Sequence, residues 1–157
     1  MSERFKARLK QLKFISSMFS MAMDEFNNVM GPESIQTIFR LMGEKVGETV
    51  EKRLKEKYKV DSWTPELFAD KFVSDVLEPA MGEGEAEISI NGNVLNVILK
   101  LCPFKKAGIN IDNKFYCTYT EGLLETAARK AFPDVEFKSI KLRAVDNCDC
   151  NFSLTIK

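Results

Sequence analysis

The chain has 157 residues, 45% of them apolar, and its 23 basic side chains are balanced by 23 acidic ones. That size suits one hydrophobic core, so residues 1–157 are expected to form a single domain, and zero net charge excludes the field of a strongly basic nucleic-acid binder. There is no histidine, which removes imidazole bases, Ser-His and Cys-His nucleophiles and His metal ligands.

The N-terminus reads Met1-Ser-Glu-Arg-Phe-Lys6, with no apolar run before a small-residue cleavage site, so a cytoplasmic protein without a membrane span is expected. Phe5, Leu9, Leu12, Ile15, Phe19, Ala22 and Phe26 then step by three or four and predict a helix. Phe14, Met18 and Met21 add a second stripe beside the first. So wide an apolar face suits a central helix touched from two sides, or one lining a pocket or a dimer interface.

Gly31-Pro32 breaks this helix and starts the next, whose stripe runs from Ile35 through Phe39, Met42, Val46, Val50 and Leu54 to Tyr58. Gly43 and Gly47 lie four apart beside that stripe. Each costs about 1 kcal/mol in a helix relative to Ala, so close approach of another helix or of a ligand should compensate. Thr64-Pro65-Glu66 starts a third helix that reaches about Glu78. The acidic link Met81-Gly-Glu-Gly-Glu85 follows, within a stretch, 61–90, that holds one Lys against eight acids.

From Ala86 the period becomes strand-like. Asn91-Gly92 marks a hairpin, Val94 to Leu101 reads as the returning strand, and Cys102-Pro103 ends it. Residues 104–116 read as loop. Thr118 with Glu121 suggests a capping box for a helix reaching Ala131. Val135 to Val145 and Cys150 to Ile156 complete a second hairpin, with Phe152, Leu154 and Ile156 on one face. The expected fold class is α+β: N-terminal helices over about 3–79, packed on an antiparallel, roughly four-stranded sheet over about 85–157, with one further helix between the two hairpins.

Nucleotide-binding fingerprints are absent, and no carboxylate pair stands out. The cysteines do. Cys102, Cys117, Cys148 and Cys150 each fall at an end of a predicted element. Four thiolates at one end of a sheet would suit a structural Zn²⁺, with Lys105, Lys106 and Lys114 near to balance its charge. Buried thiols and redox pairing are the alternatives, and the single residue between Cys148 and Cys150 is tighter than zinc sites usually use.

Phe39-Arg-Leu-Met-Gly43-Glu-Lys-Val-Gly47 resembles the paired-glycine helix of the 4-vinyl-reductase domain family. Met81-Gly-Glu-Gly84, the hairpin ending Leu101-Cys102-Pro103-Phe104, Tyr116-Cys117 with Gly122, and Cys148-Asp-Cys150-Asn-Phe152 follow in that family's order, over roughly 20–157. The chain departs from the pattern where a single Asp149 replaces the longer, glycine-containing stretch between the last two cysteines. The resemblance implies an α+β fold, usually dimeric, related to small subunits of a vesicle-tethering complex and associated with small, often hydrocarbon-like ligands, sometimes as a sensor.

Together these readings lead to an expected homodimeric module for a small apolar ligand, with a cysteine-based metal site, zinc being the expected ion. Phe14, Met18, Met21, Phe39, Met42, Gly43 and Gly47 are the candidate walls, and Phe104 and Phe115 the candidates to close the mouth; ordinary core packing is the alternative for each. The competing functions are an assembly subunit using the first helix, and a thiol- or metal-dependent enzyme centred on Cys102 and Cys117.

Overall fold

The computed structural model describes residues 3–157 and divides into two compact units, one running to Ile35 and the other from Gln36 to Lys157. The first unit is dominated by helix α1, Glu3–Met30. None of its residues is buried, and Leu12, Phe14, Ile15, Met18 and Met21 are all exposed. Gly31 ends it with φ +80°, a left-handed value that suits glycine, while its N–H donates to the Asn27 carbonyl at 2.9 Å. Pro32 then opens α2, Pro32–Tyr58, a continuous helix most of which belongs to the second unit.

In the second unit, Thr64 caps α3, Pro65–Phe72, as the sequence predicts: its hydroxyl accepts the Leu67 N–H at 3.3 Å. The helical path then widens. Val73–Leu77 form a π turn, and the Glu78 N–H reaches back five residues to the Val73 carbonyl. A short α4, Glu78–Met81, follows. Strands β1, Ala86–Asn91, and β2, Val94–Leu99, form the hairpin predicted at Asn91-Gly92. The stretch expected to be loop contains α5, Pro103–Lys106, and the long α6 spans Phe115–Ala131.

The capping expectation at Thr118 shifts by one turn. Lys114, with φ 58°, stands before the first residue of α6, and Thr118 lies inside that first turn, donating to the Phe115 and Gln36 carbonyls. Strand β3, Val135–Lys141, is shorter than expected: α7, Arg143–Asp146, takes the stretch before β4, Cys150–Ile156. The Asp146 carboxylate accepts the Leu142 N–H at 2.8 Å, a local bond that favours the turn over an extended chain.

The four strands form one antiparallel sheet in the order β1-β2-β4-β3. Leu95, Val97 and Leu99 of β2 alternate inward beside Phe152 and Leu154 of β4. Onto that face pack Leu54, Phe68, Phe72, Leu124, Ala127 and Ala128 from the helices, making the core. The fold is therefore α+β, as the sequence predicts. Among the described residues no helix is long and apolar enough to cross a membrane.

Candidate functional site

The crossing of α2 and α6 positions the site. At Gly43 a Cβ would stand 2.1 Å from the Tyr119 carbonyl oxygen, and at Gly47 2.6 Å from that of Leu123. The fit is reciprocal, since a Cβ at Gly122 would come within 2.5 Å of the Arg40 carbonyl oxygen. Missing side chains thus let two helix backbones touch, which offsets the glycines' cost in helix propensity. Arg40 flanks the crossing, bonded to Glu44 at 2.9 Å and to Glu125, which also accepts from Arg129.

Beside this crossing lies a cavity of about 310 Å³. Its helical walls are Tyr116, Cys117, Tyr119, Thr120 and Leu123 of α6, with Val46 of α2. The sheet side supplies Leu99, Cys150 and Phe152, and the remaining wall includes Leu101, Cys102, Phe104, Ile111 and Leu142. Val76 and Leu77 of the π turn and Ala80 and Met81 of α4 complete it. A π turn displaces the side chains that follow it and is frequent at functional sites; here it contributes directly to the wall. Roughly 150 Å³ of apolar cavity is enough to hold benzene, so this one has room for a substituted ring or a medium-length chain.

Three of the four cysteines reach the cavity. Burial pushes the Cys117 thiol up to about 12, and the neighbouring Cys150, Cys102 and Glu121 add to the effect. Burial also raises Cys150, opposed by the Arg143 N–H that donates to its sulfur at 3.3 Å. Both thiols therefore keep their protons at neutral pH and act as small apolar wall groups. Cys148 is not among the wall residues; its sulfur lies 3.4 Å from the Asp149 carbonyl oxygen. Among the described residues, no group of three or more Cys, Asp or Glu side chains is placed to hold a metal ion.

Of the other residues singled out in the sequence, Phe104 lines the cavity and stacks on Tyr116, with ring centroids 3.9 Å apart. Phe115 is buried and stacks on Phe39, which meets Tyr116 edge-on. Gly43 and Gly47 face the α6 backbone, Met42 is exposed, and Phe14, Met18 and Met21 are exposed on α1 in the first unit. Wall residues that sequence reasoning did not single out include Val46, Val76, Met81, Tyr119, Thr120 and Leu142. The π turn has no periodic signature over five residues, and Val46 sits within an ordinary helical stripe. Leu142 carried no signal beyond its place in a predicted strand.

No family model matches the sequence, and no curated protein matches it. Solved structures do. The chain is similar to a trafficking protein particle complex subunit 3 from Naegleria fowleri covalently bound to palmitic acid, at 15% identity and a TM-score of 0.53, over 92% of this chain and 96% of that one. It is also similar to the phenol-responsive sensory domain of the transcription activator PoxR, solved with phenol. That match has 7% identity and a TM-score of 0.57, over 90% of this chain and 74% of the other. At such identities the likeness shows the fold alone.

Proposed function

We propose that this chain is a binding or sensing module for a small apolar molecule held in the cavity beside α6. The observation that carries the reading is the cavity: about 310 Å³, with a wall dominated by aliphatic and aromatic side chains and thiols. Binding sites of small molecules are concave, mostly apolar and largely pre-formed, with a few polar groups that orient the ligand. Here Thr120, Tyr116 and Tyr119 are the wall residues that carry hydroxyl groups. The two structural relatives, one holding palmitic acid and the other phenol, support the reading because the same architecture accommodates a chain and a ring.

The test is native mass spectrometry of the intact protein, followed by solvent extraction and titration with phenol and 1-decanol. A retained apolar molecule, or saturable one-to-one binding of either probe, is expected. Protein that carries nothing and binds neither probe would overturn the reading.

A second reading concerns assembly. The apolar stripe of α1 is exposed along its length, which in a soluble protein marks an interaction surface. We infer that a second copy of this chain covers it, giving a homodimer in which each protomer keeps its own cavity. The relative that is a subunit of a multi-protein complex supports the idea that this architecture takes part in assembly.

A further inference from the structure

We propose that the ligand is amphipathic, with a carboxylate or similar anionic group received by Lys105 and Arg143 at one end of the apolar cavity; the inference rests on the reading that the cavity binds an apolar molecule. A second hollow of about 280 Å³ is lined by Lys105, Ile109, Ile111, Asp112, Arg143 and Asn147, among others. Ile111 belongs to the walls of both hollows. Two pairs of consecutive residues straddle the boundary. Phe104 lines the apolar cavity and Lys105 the second hollow, whose wall also includes Ala144 and Val145; Leu142 and Arg143 divide in the same way. A molecule lying across Ile111 would therefore have its hydrocarbon part among aromatic and aliphatic groups and its head beside two cations.

Both cations have binding capacity left. The Lys105 ammonium donates to the Asn147 side-chain oxygen at 3.0 Å, a neutral acceptor. Arg143 donates through one terminal nitrogen to the Lys100 carbonyl at 2.6 Å and to Asp149 at 2.7 Å. Hydrogen bonds from an ammonium or a guanidinium to a carboxylate are charge-assisted and stronger than those to a neutral acceptor. Asp112 on the wall and Asp149 beside Arg143 offset part of the charge, but the side chain of Asp149 is 54% exposed, so water weakens its hold.

The experiment compares 1-decanol with decanoate, which share a chain and differ in the head, by calorimetric titration near neutral pH. Decanoate is expected to bind roughly tenfold more tightly than the alcohol, the scale of one added charge-assisted contact. Lys105→Ala and Arg143→Gln are expected to remove that preference while leaving decanol affinity within about twofold, whereas Lys106→Ala, next in sequence but outside the hollow's wall, should keep it. Lys105 is exposed, so its variant tests the idea even if Arg143→Gln folds poorly. Equal affinity for the two probes, or a preference that survives Lys105→Ala, would overturn the anionic subsite and leave the apolar reading standing. Failure of both probes to bind would overturn the two together.

Discussion

Gly43 on α2 and Tyr119 on α6 meet backbone to backbone: a Cβ at position 43 would stand 2.1 Å from the Tyr119 carbonyl oxygen. Tyr119 is also a wall residue of the cavity, as is Leu123, whose carbonyl confronts Gly47 in the same manner. The depth at which α6 sits on α2 therefore determines where the cavity wall stands. Gly43→Ala illustrates the balance. In an exposed helix it would stabilise by about 1 kcal/mol. Here the added methyl meets a carbonyl that cannot rotate away, and forcing atoms into a packed contact costs about 1–3 kcal/mol or more. A net loss of about 2 kcal/mol is expected, read as a lower midpoint in urea and a lower melting temperature. A midpoint equal to or above that of the parent protein would contradict this account of the crossing.

The thiols give a dependence on pH whose sign can be worked out. Cys117 is raised from 9.0 to about 12 in the folded chain, chiefly by burial. The folded state therefore binds that proton more tightly than the unfolded state does. Its contribution is complete below pH 9 and is lost as the pH rises from there toward 12. The slope is bounded by about 1.4 kcal/mol per pH unit and is smaller for a side chain that is partly in contact with water. Melting temperatures at about pH 8 and about pH 10.5 should fall further for the parent protein than for Cys117→Ala. Equal falls would remove Cys117 from the explanation.

Alkylation separates the same thiols kinetically. A shift of this size leaves Cys117 with roughly a thousandfold less thiolate near pH 8 than an ordinary cysteine has. Iodoacetamide labelling followed by peptide mass spectrometry should mark Cys148, outside the cavity wall, well before Cys117. Zinc enters the same assay, because any ion bound by Cys117 must first displace its proton. The expected outcome is that added zinc leaves the labelling order unchanged. Stoichiometric zinc in protein purified without chelator, with Cys117 and Cys150 protected, would establish the metal site instead.

Much of this fold was legible because it rests on short-range signals. The capping threonine at Thr64, the Gly31-Pro32 break and the Asn91-Gly92 turn each act within a few residues and appear where the sequence predicts. The short helices α5 and α7 were not legible, since four residues carry no periodicity. The site was legible in part. The cysteines gathered at element ends read as four metal ligands; Cys102, Cys117 and Cys150 line the cavity and Cys148 does not. A helical stripe, however, says that a face is apolar and not what covers it. Gly43 and Gly47 read equally well as a seat for a ligand or for a helix, and the backbone of α6 occupies that place.

Filling the cavity tests its role without disturbing the core. Ala80 on α4 is exposed yet contributes to the wall, so a larger side chain there can enter the cavity without displacing buried neighbours. Ala80→Phe is expected to melt within about 0.5 kcal/mol of the parent protein, as surface substitutions usually do. Its affinity for phenol or decanol should fall at least roughly tenfold, because a ring in the cavity excludes ligand volume directly. Unchanged affinity in a well-folded variant would move the binding site away from this cavity.

The last prediction concerns α1. A helix of 28 residues is about 42 Å long, enough for two copies packed along their stripes to contribute substantially to the roughly 1,600 Å² of a standard interface. Leu12, Phe14, Ile15, Met18 and Met21 would supply its apolar centre, with methionines adapting to whichever register brings the copies together. Light scattering should therefore return about twice the chain mass of 17.9 kDa. Phe14→Glu combined with Met21→Glu would bury carboxylates against the partner in a dimer but leave them in water in a monomer. That double variant should scatter as a monomer and still bind decanol, since neither residue belongs to the cavity wall. A parent protein that is monomeric at all accessible concentrations would exclude the second copy as the occupant of this face. A double variant that remains dimeric would place the dimer contact on another surface.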